Sequence, residues 1–161
     1  MDARDGTPTL RQVMGSYPTG VTIVSALDSD GEPFGLTVNS FTSLSLDPPL
    51  VLVCVGHTSR SHDRLVTGQH FSVNMLASDQ GDVAMRFAKD PSEGRFDRVE
   101  WSPAESGSPF FRGATAALDC SVHSVLDGGD HSILVGRVDG VALTDRPALI
   151  YHRGRFSSTD P

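Results

Sequence analysis

GLTVNSFTSLSLDPPLVLVCV, residues 35–55, opens as a strand, loosens into a hydroxyl-rich run and resumes as an apolar strand. The hydroxyls are Thr37, Ser40, Thr42, Ser43 and Ser45; Asp47-Pro48-Pro49 makes a turn, and Leu50–Val55 is apolar. Side chains of a regular strand alternate between two faces. Polar residues at 37, 39, 40, 42, 43 and 45 follow neither that period nor a helical stripe, so an irregular backbone is expected here. Backbone N–H groups without ladder partners can be aimed at a ligand. The small hydroxyls and Asn39 add donors and acceptors without bulk, which suits the polar edge of a flat heterocycle. On these residues alone, a solvated hairpin loop is the competing reading.

Upstream, Thr9 to Ser16 is expected to form a short helix capped by Thr7 or Thr9, with Leu10, Val13 and Met14 on one face. VTIVSALD (21–28) reads as a strand and Asp28-Ser29-Asp30-Gly31 as a turn. Downstream, Gly56-His57-Thr58-Ser59-Arg60-Ser61 leads into a short helical segment, HDRLVTG. Free N–H groups at a helix start beside Arg60 would make a phosphate seat; plain capping by Ser59 or Ser61 is the alternative. QHFSVNML (69–76) is strand-like, and residues 79–88 carry Val83, Met85, Phe87 and Ala88 at helical spacing. Phe96 and Trp101 are expected to anchor the irregular segment 93–100, and 106–113 reads as a loop. Residues 114–126 and 131–143 form a hairpin around Asp127-Gly128-Gly129-Asp130, and 148–151 pairs with 155–156. Strands outnumber helices and are mostly hairpin-connected, which predicts an antiparallel barrel with helices across its ends.

Composition narrows the function. The chain has 161 residues, 38% of them hydrophobic and 20% charged, as one globular domain would. A net charge of −7 argues against nucleic acid or an anionic membrane as partner. No apolar run approaches the roughly 20 residues that span a bilayer. The acidic N-terminus MDARDGTPTL lacks a signal-peptide pattern. Cys54 and Cys120 sit in apolar surroundings and read as buried thiols, so a cytoplasmic protein is expected. No GxGxxG, GxxxxGK[ST], GxSxG or HExxH occurs, and the six histidines show no metal-site spacing. A second feature is Gly128-Gly129-Asp130-His131, where the glycines permit a tight turn and Asp130 can orient the His131 ring. A solvated turn histidine is the plainer reading.

The blocks YPTGVTIV (17–24), GLTVNSFTSLSLDPPLVLV (35–53), HFSVNML (70–76), FAKDPSEGRFD (87–97), ALDC (117–120), GGDHSILVGRV (128–138) and ALIYHRGRF (148–156) together resemble the flavin reductase domain, in order and over nearly the whole chain. These small NAD(P)H:flavin oxidoreductases supply reduced flavin to two-component monooxygenases. The resemblance implies a mainly β fold, a Greek-key split β-barrel, forming a homodimer with flavin near the subunit interface. It implies FMN or FAD as flavin, NADH or NADPH as co-substrate, and a flavin-dependent monooxygenase as partner. Carried over by position, Thr37, Val38, Asn39 and Ser40 would contact the isoalloxazine and ribityl region, with Ser43 in the same block and Cys54 and Val55 beside the flavin. Ser59, Arg60 and Ser61 match the phosphate-binding segment; Arg86 and Phe87 would line the adenine or phosphate side. Asp130 and His131 would serve the nicotinamide side, with His131 positioning it, and Tyr151 would help close the pocket. Leu36 stands where many relatives carry Met. The competing readings are a non-catalytic flavin or heme carrier or sensor, a reductase retaining its flavin and passing electrons to ferric iron or another acceptor, and a purely structural barrel.

Overall fold

The structure, a computed structural model, describes residues 7–89, 91 and 94–160. Its architecture follows from one short link. β3 (Pro33–Val38) and β4 (Phe41–Leu46) are separated only by Asn39 and Ser40, yet they lie at opposite edges of a seven-stranded antiparallel sheet. Between them stand β2 (Thr22–Leu27), β6 (His70–Met75), β9 (Ala116–Asp127), β10 (His131–Leu143) and β5 (Pro49–Gly56), in that spatial order. Laid flat, seven strands would hold their edges roughly 29 Å apart. Three extended Cα steps from Val38 to Phe41 cover at most about 11 Å. The sheet therefore has to curl until its edges meet, and because those edges share no ladder the barrel is split.

Curling gives the barrel an interior. Val24, Phe34, Val53, Phe71, Val73 and Leu134 meet there, all buried. Leu65 of α2 (His62–Val66) plugs one end. Gly136 also faces inward, where any Cβ would collide with the Phe71 ring. A second core lies outside the barrel, where Ile23, Leu76, Phe111 and Leu149 pack beneath Ala84 and Phe87 of α3 (Gly81–Lys89). β2 is thus buried on both faces, which is why its burial runs unbroken from Thr22 to Ala26 instead of alternating.

The outer face of β2 and β6 carries a buried polar knot. Asn74 Nδ2 donates to Pro109 O at 3.0 Å, Phe111 N donates to Asn74 Oδ1 at 2.8 Å, and Ser72 Oγ donates to Pro109 O at 2.6 Å. The knot docks β8 (Pro109–Phe111), which pairs with β7 (Trp101–Pro103). The 106–113 segment is therefore not simply a loop. Phe96 anchors as expected, its ring 5.0 Å from Phe87 and 6.3 Å from Trp101; residues 92 and 93 lie outside the described residues. The last strands, β11 (Leu149–His152) and β12 (Arg155–Ser158), pair with each other, and β11 also pairs with β1 (Thr19–Gly20).

Three further expectations change. Phe41–Leu46 is an edge strand on β5; a bulge between Ser43 and Ser45 breaks its polar period, so the irregular backbone is confined to that bulge and the Asn39–Ser40 link. α1 (Leu10–Gly15) has the expected Thr9 cap, reinforced by Gln12 in a capping box, but Leu10, Val13 and Met14 are exposed. α3 buries Ala84 and Phe87, while Met85 and Ala88 face out, because the helix is rotated to seat Ala84 on β3.

Asn74→Ala leaves the buried Phe111 N–H without its acceptor, while the Pro109 carbonyl keeps the Ser72 hydroxyl, which costs about 2 kcal/mol. Urea denaturation is expected to show that loss, with an unchanged far-UV spectrum before the transition.

Candidate functional site

The seam left by the two-residue link carries three adjoining hollows. A cationic one of about 510 Å³ is lined by Thr37, Ser59, Arg60, Ser61, Lys89 and Arg95, among others. A smaller apolar one of about 240 Å³ lies between α3 and the β11–β12 hairpin, walled by Met85, Tyr151 and Phe156. The largest, about 690 Å³, runs past Asn39, Ser40, Phe41 and Cys54 toward Tyr17. Thr37 and Lys89 border the first two, and Asn39 borders the last two. They form one track along the seam, cationic at one end, apolar in its bed and polar at its middle.

Local structure explains that arrangement. Thr37 Oγ donates to Ala84 O at 2.6 Å, which pins α3 over β3 and sets the wall of the track. Ser40 Oγ donates to Cys54 O at 2.9 Å, and Cys54 N donates to Ser40 O at 3.2 Å, holding the link against β5. Ser59 N donates to Gly56 O and His62 N to Ser59 O, so residues 56–62 form two tight turns. Ser61 makes no side-chain cap; its Oγ donates to Gly35 O at 3.4 Å instead. With α2 only five residues long, the seat for an anion rests on this loop and on Arg60, Lys89 and Arg95. Arg95 reaches in to donate to Gly35 O at 2.9 Å.

Of the residues singled out from the sequence, Thr37, Asn39, Ser40, Cys54, Ser59, Arg60, Ser61, Phe87 and Tyr151 border the track. Val38 and Val55 point into the barrel interior, and the Val38 carbonyl already accepts from Thr22 Oγ at 2.7 Å. Ser43 sits exposed on edge strand β4, opposite Val51. Arg86 turns away and donates to Arg98 O at 3.4 Å. Asp130 and His131 stand at the start of β10, opposite Gly56, over which the His131 ring lies. His131 is 46% exposed, with Nδ1 2.6 Å from Asp130 Oδ1. The hydrogen bond to His131 holds the Asp130 carboxyl below the usual carboxylate range, and the charges of His131 and His57 deepen the shift. The carboxylate therefore keeps the ring oriented at neutral pH, and that contribution fades only as acidification carries it through its lowered pKa. Cys120 is buried, its thiol pushed up to about 12 by desolvation first, so it is inert; Cys54 is half-buried, and both are free.

The sequence did not single out Lys89, the pairing of Met85 with Phe156, or the ring cluster of His57 and His62. Lys89 closes a helix whose last turn also holds Arg86, and a basic last turn reads as ordinary dipole compensation.

Residues 14–160 match the family described as flavin reductase like domain. The chain belongs to this family. It is 44% identical over 91% of its length to the stachydrine N-demethylase reductase subunit of Rhizobium meliloti, and 41% identical over 99% to the reductase component of the flavin-dependent trigonelline monooxygenase of Acinetobacter baylyi. It spans only 64% and 53% of those two proteins. It is also 43% identical over 94% of its length to the NADH-dependent FAD reductase of Streptomyces globisporus, of which it covers 85%. The solved NADH:FAD oxidoreductase of that organism, in complex with NAD and FAD fragments, superposes with a TM-score of 0.89 at 43% identity, covering 94% of this chain and 92% of that one. These likenesses and the strand order make the split barrel this chain's fold.

The track suits a flavin on its own chemistry. The apolar bed would carry the ring system, the Asn39–Ser40 link would meet its polar edge, and the cationic hollow would take the phosphate. Lys89→Ala is expected to raise the flavin dissociation constant roughly fivefold in fluorescence titrations and to flatten its salt dependence. A change in affinity that persists equally at high salt would contradict a charge role.

Proposed function

We propose that the protein uses NADH or NADPH to reduce FMN or FAD and releases the reduced flavin to a partner flavin-dependent monooxygenase. The observation that carries this reading is the single track along the seam, with a cationic end, an apolar bed and a polar middle. Relatives named as reductase subunits and an NADH-dependent FAD reductase support it. The relative named an NADH-dependent FAD reductase favours FAD as the flavin.

The flavin supplies hydride acceptance, which needs no protein nucleophile. The chain's task is then to hold two flat rings together and keep the reacting atoms about 3–3.5 Å apart. Asn39 and the backbone of the link place hydrogen-bonding groups at the ring's polar edge. Arg60, Lys89 and Arg95 hold the phosphate end. His131, fixed through Nδ1 by Asp130, presents Nε2 beside Gly56 and positions the nicotinamide side. The exposed stripe Leu10, Val13, Met14 and Tyr17, together with Leu44 and Leu46 on β4, fits burial against a second copy in a homodimer. Two free thiols fit a cytoplasmic setting. Among the described residues, no helix is long and apolar enough to cross a membrane.

The test is loss of NADH absorbance with added FMN, with FAD and with neither. Oxidation that depends on added flavin, faster with FAD, is the expected result; flavin-independent oxidation, or none with either nicotinamide, would overturn the reading. His131→Ala is expected to raise KM for NADH about tenfold and leave flavin affinity within about twofold. Asn39→Leu should do the converse, weakening flavin binding about tenfold in fluorescence titrations.

A further inference from the structure

His57 and His62 stand on either side of the loop Thr58–Ser61, and both rings converge on one hydroxyl. Ser132 Oγ lies 2.9 Å from His62 Nε2 and 3.3 Å from His57 Nε2. The two rings meet edge to face, with centroids 5.0 Å apart. Ser132 is the residue after His131 and pairs with Val55 of β5, whose side chain is interior. Side chains alternate along β10, so Ser132 faces the barrel end while His131 lies outward against Gly56. Ser132 is 9% exposed and the His62 side chain 13%. The backbone adds a third tie, His57 N donating to Asp130 O at 3.0 Å.

Hydrogen-bond chemistry gives this cluster a direction. Asp63 Oδ1 lies 2.7 Å from His62 Nδ1. A carboxylate only accepts, so Nδ1 carries the proton, and a neutral His62 offers a bare Nε2 to the Ser132 hydroxyl. The Ser132 oxygen then accepts from His57 Nε2–H. One hydroxyl both donates and accepts, and it fastens both ends of a four-residue loop. That loop lines the cationic hollow, and the anchor is the immediate neighbour of the nicotinamide-side histidine.

We propose that Ser132 is a positioning residue whose hydroxyl closes the 57–62 loop onto the His131 turn, so that the flavin-phosphate seat and the nicotinamide side are held as one unit and binding at each supports the other. The proposal rests on the reading of the site given under Proposed function. The charged and titratable groups around the anchor are Asp63 from α2, His57 and Arg60 from the loop, and Asp130 and His131 from the turn.

The experiment compares wild type, Ser132→Ala and Ser132→Thr for flavin dissociation constant, NADH KM, kcat and thermal midpoint at neutral pH. In Ser132→Ala, both the flavin constant and the NADH KM are expected to rise roughly fivefold to tenfold at neutral pH, with kcat falling no more than about threefold. Ser132→Thr, which keeps the hydroxyl, should restore both constants. Constants within twofold of wild type, a rise in one ligand's constant alone, or a fall in thermal midpoint and kcat without the paired rise would overturn the proposal. Histidine side-chain nitrogen spectra of the ligand-free protein separate this from failure of the flavin reading. His62 is expected as the Nδ1–H tautomer, with both His57 and His62 signals shifting in Ser132→Ala. That result would leave the closure standing even if wild type oxidised no NADH, whereas unshifted signals would remove the closure itself.

Discussion

The structure depends on joining the two outermost strands of one sheet by two residues. Asn39 and Ser40 carry the chain from β3 to β4 across a gap that only a rolled sheet can present. Everything inside the barrel is then determined by alternation on strands whose inward faces are already apolar. The same constraint leaves a seam, since two edges meet there without a ladder. Edge backbone at a seam needs partners from somewhere. Here Ser40 ties to Cys54, and the remaining polar groups border the hollows.

Layering then turns the seam into a binding track. The Thr37 hydroxyl fixes α3 above β3, the Asn74 knot docks β8, and Phe111 and Phe96 brace Phe87 from behind. With α3 held on both sides, its exposed last turn presents Lys89 to the loop carrying Arg60. Cations and hydroxyls meet there because three separate chain segments are held by hydrogen bonds to neighbouring backbone.

Much of this was legible in the sequence, and the misses have physical reasons. Strand and turn patterns located β2, β5, β9 and β10 and the GGDH corner, because hairpin signals are local. The Ser43–Ser45 bulge hid β4 by shifting its period, and β8 was hidden because three residues held by a side-chain knot carry no periodicity. The α3 face was misjudged because helical spacing gives several stripes, and only the docking of Ala84 under Thr37 selects one. Asn39, Ser40 and Cys54 were recognisable from hydroxyl patterning and family-like blocks. Lys89 beside Arg60 and the convergence of His57 and His62 on Ser132, 75 and 70 residues away, depend on side chains distant in sequence meeting in space, which no local pattern encodes.

The seam opened by the Asn39–Ser40 link is the proposed place of flavin binding. Hydrogen–deuterium exchange with and without FAD tests it most directly. Slowed exchange confined to residues 36–42, 54–61 and 85–89 is the predicted result. Protection centred instead on the hollow beside Trp101 and Arg112, with the seam unchanged, would contradict it.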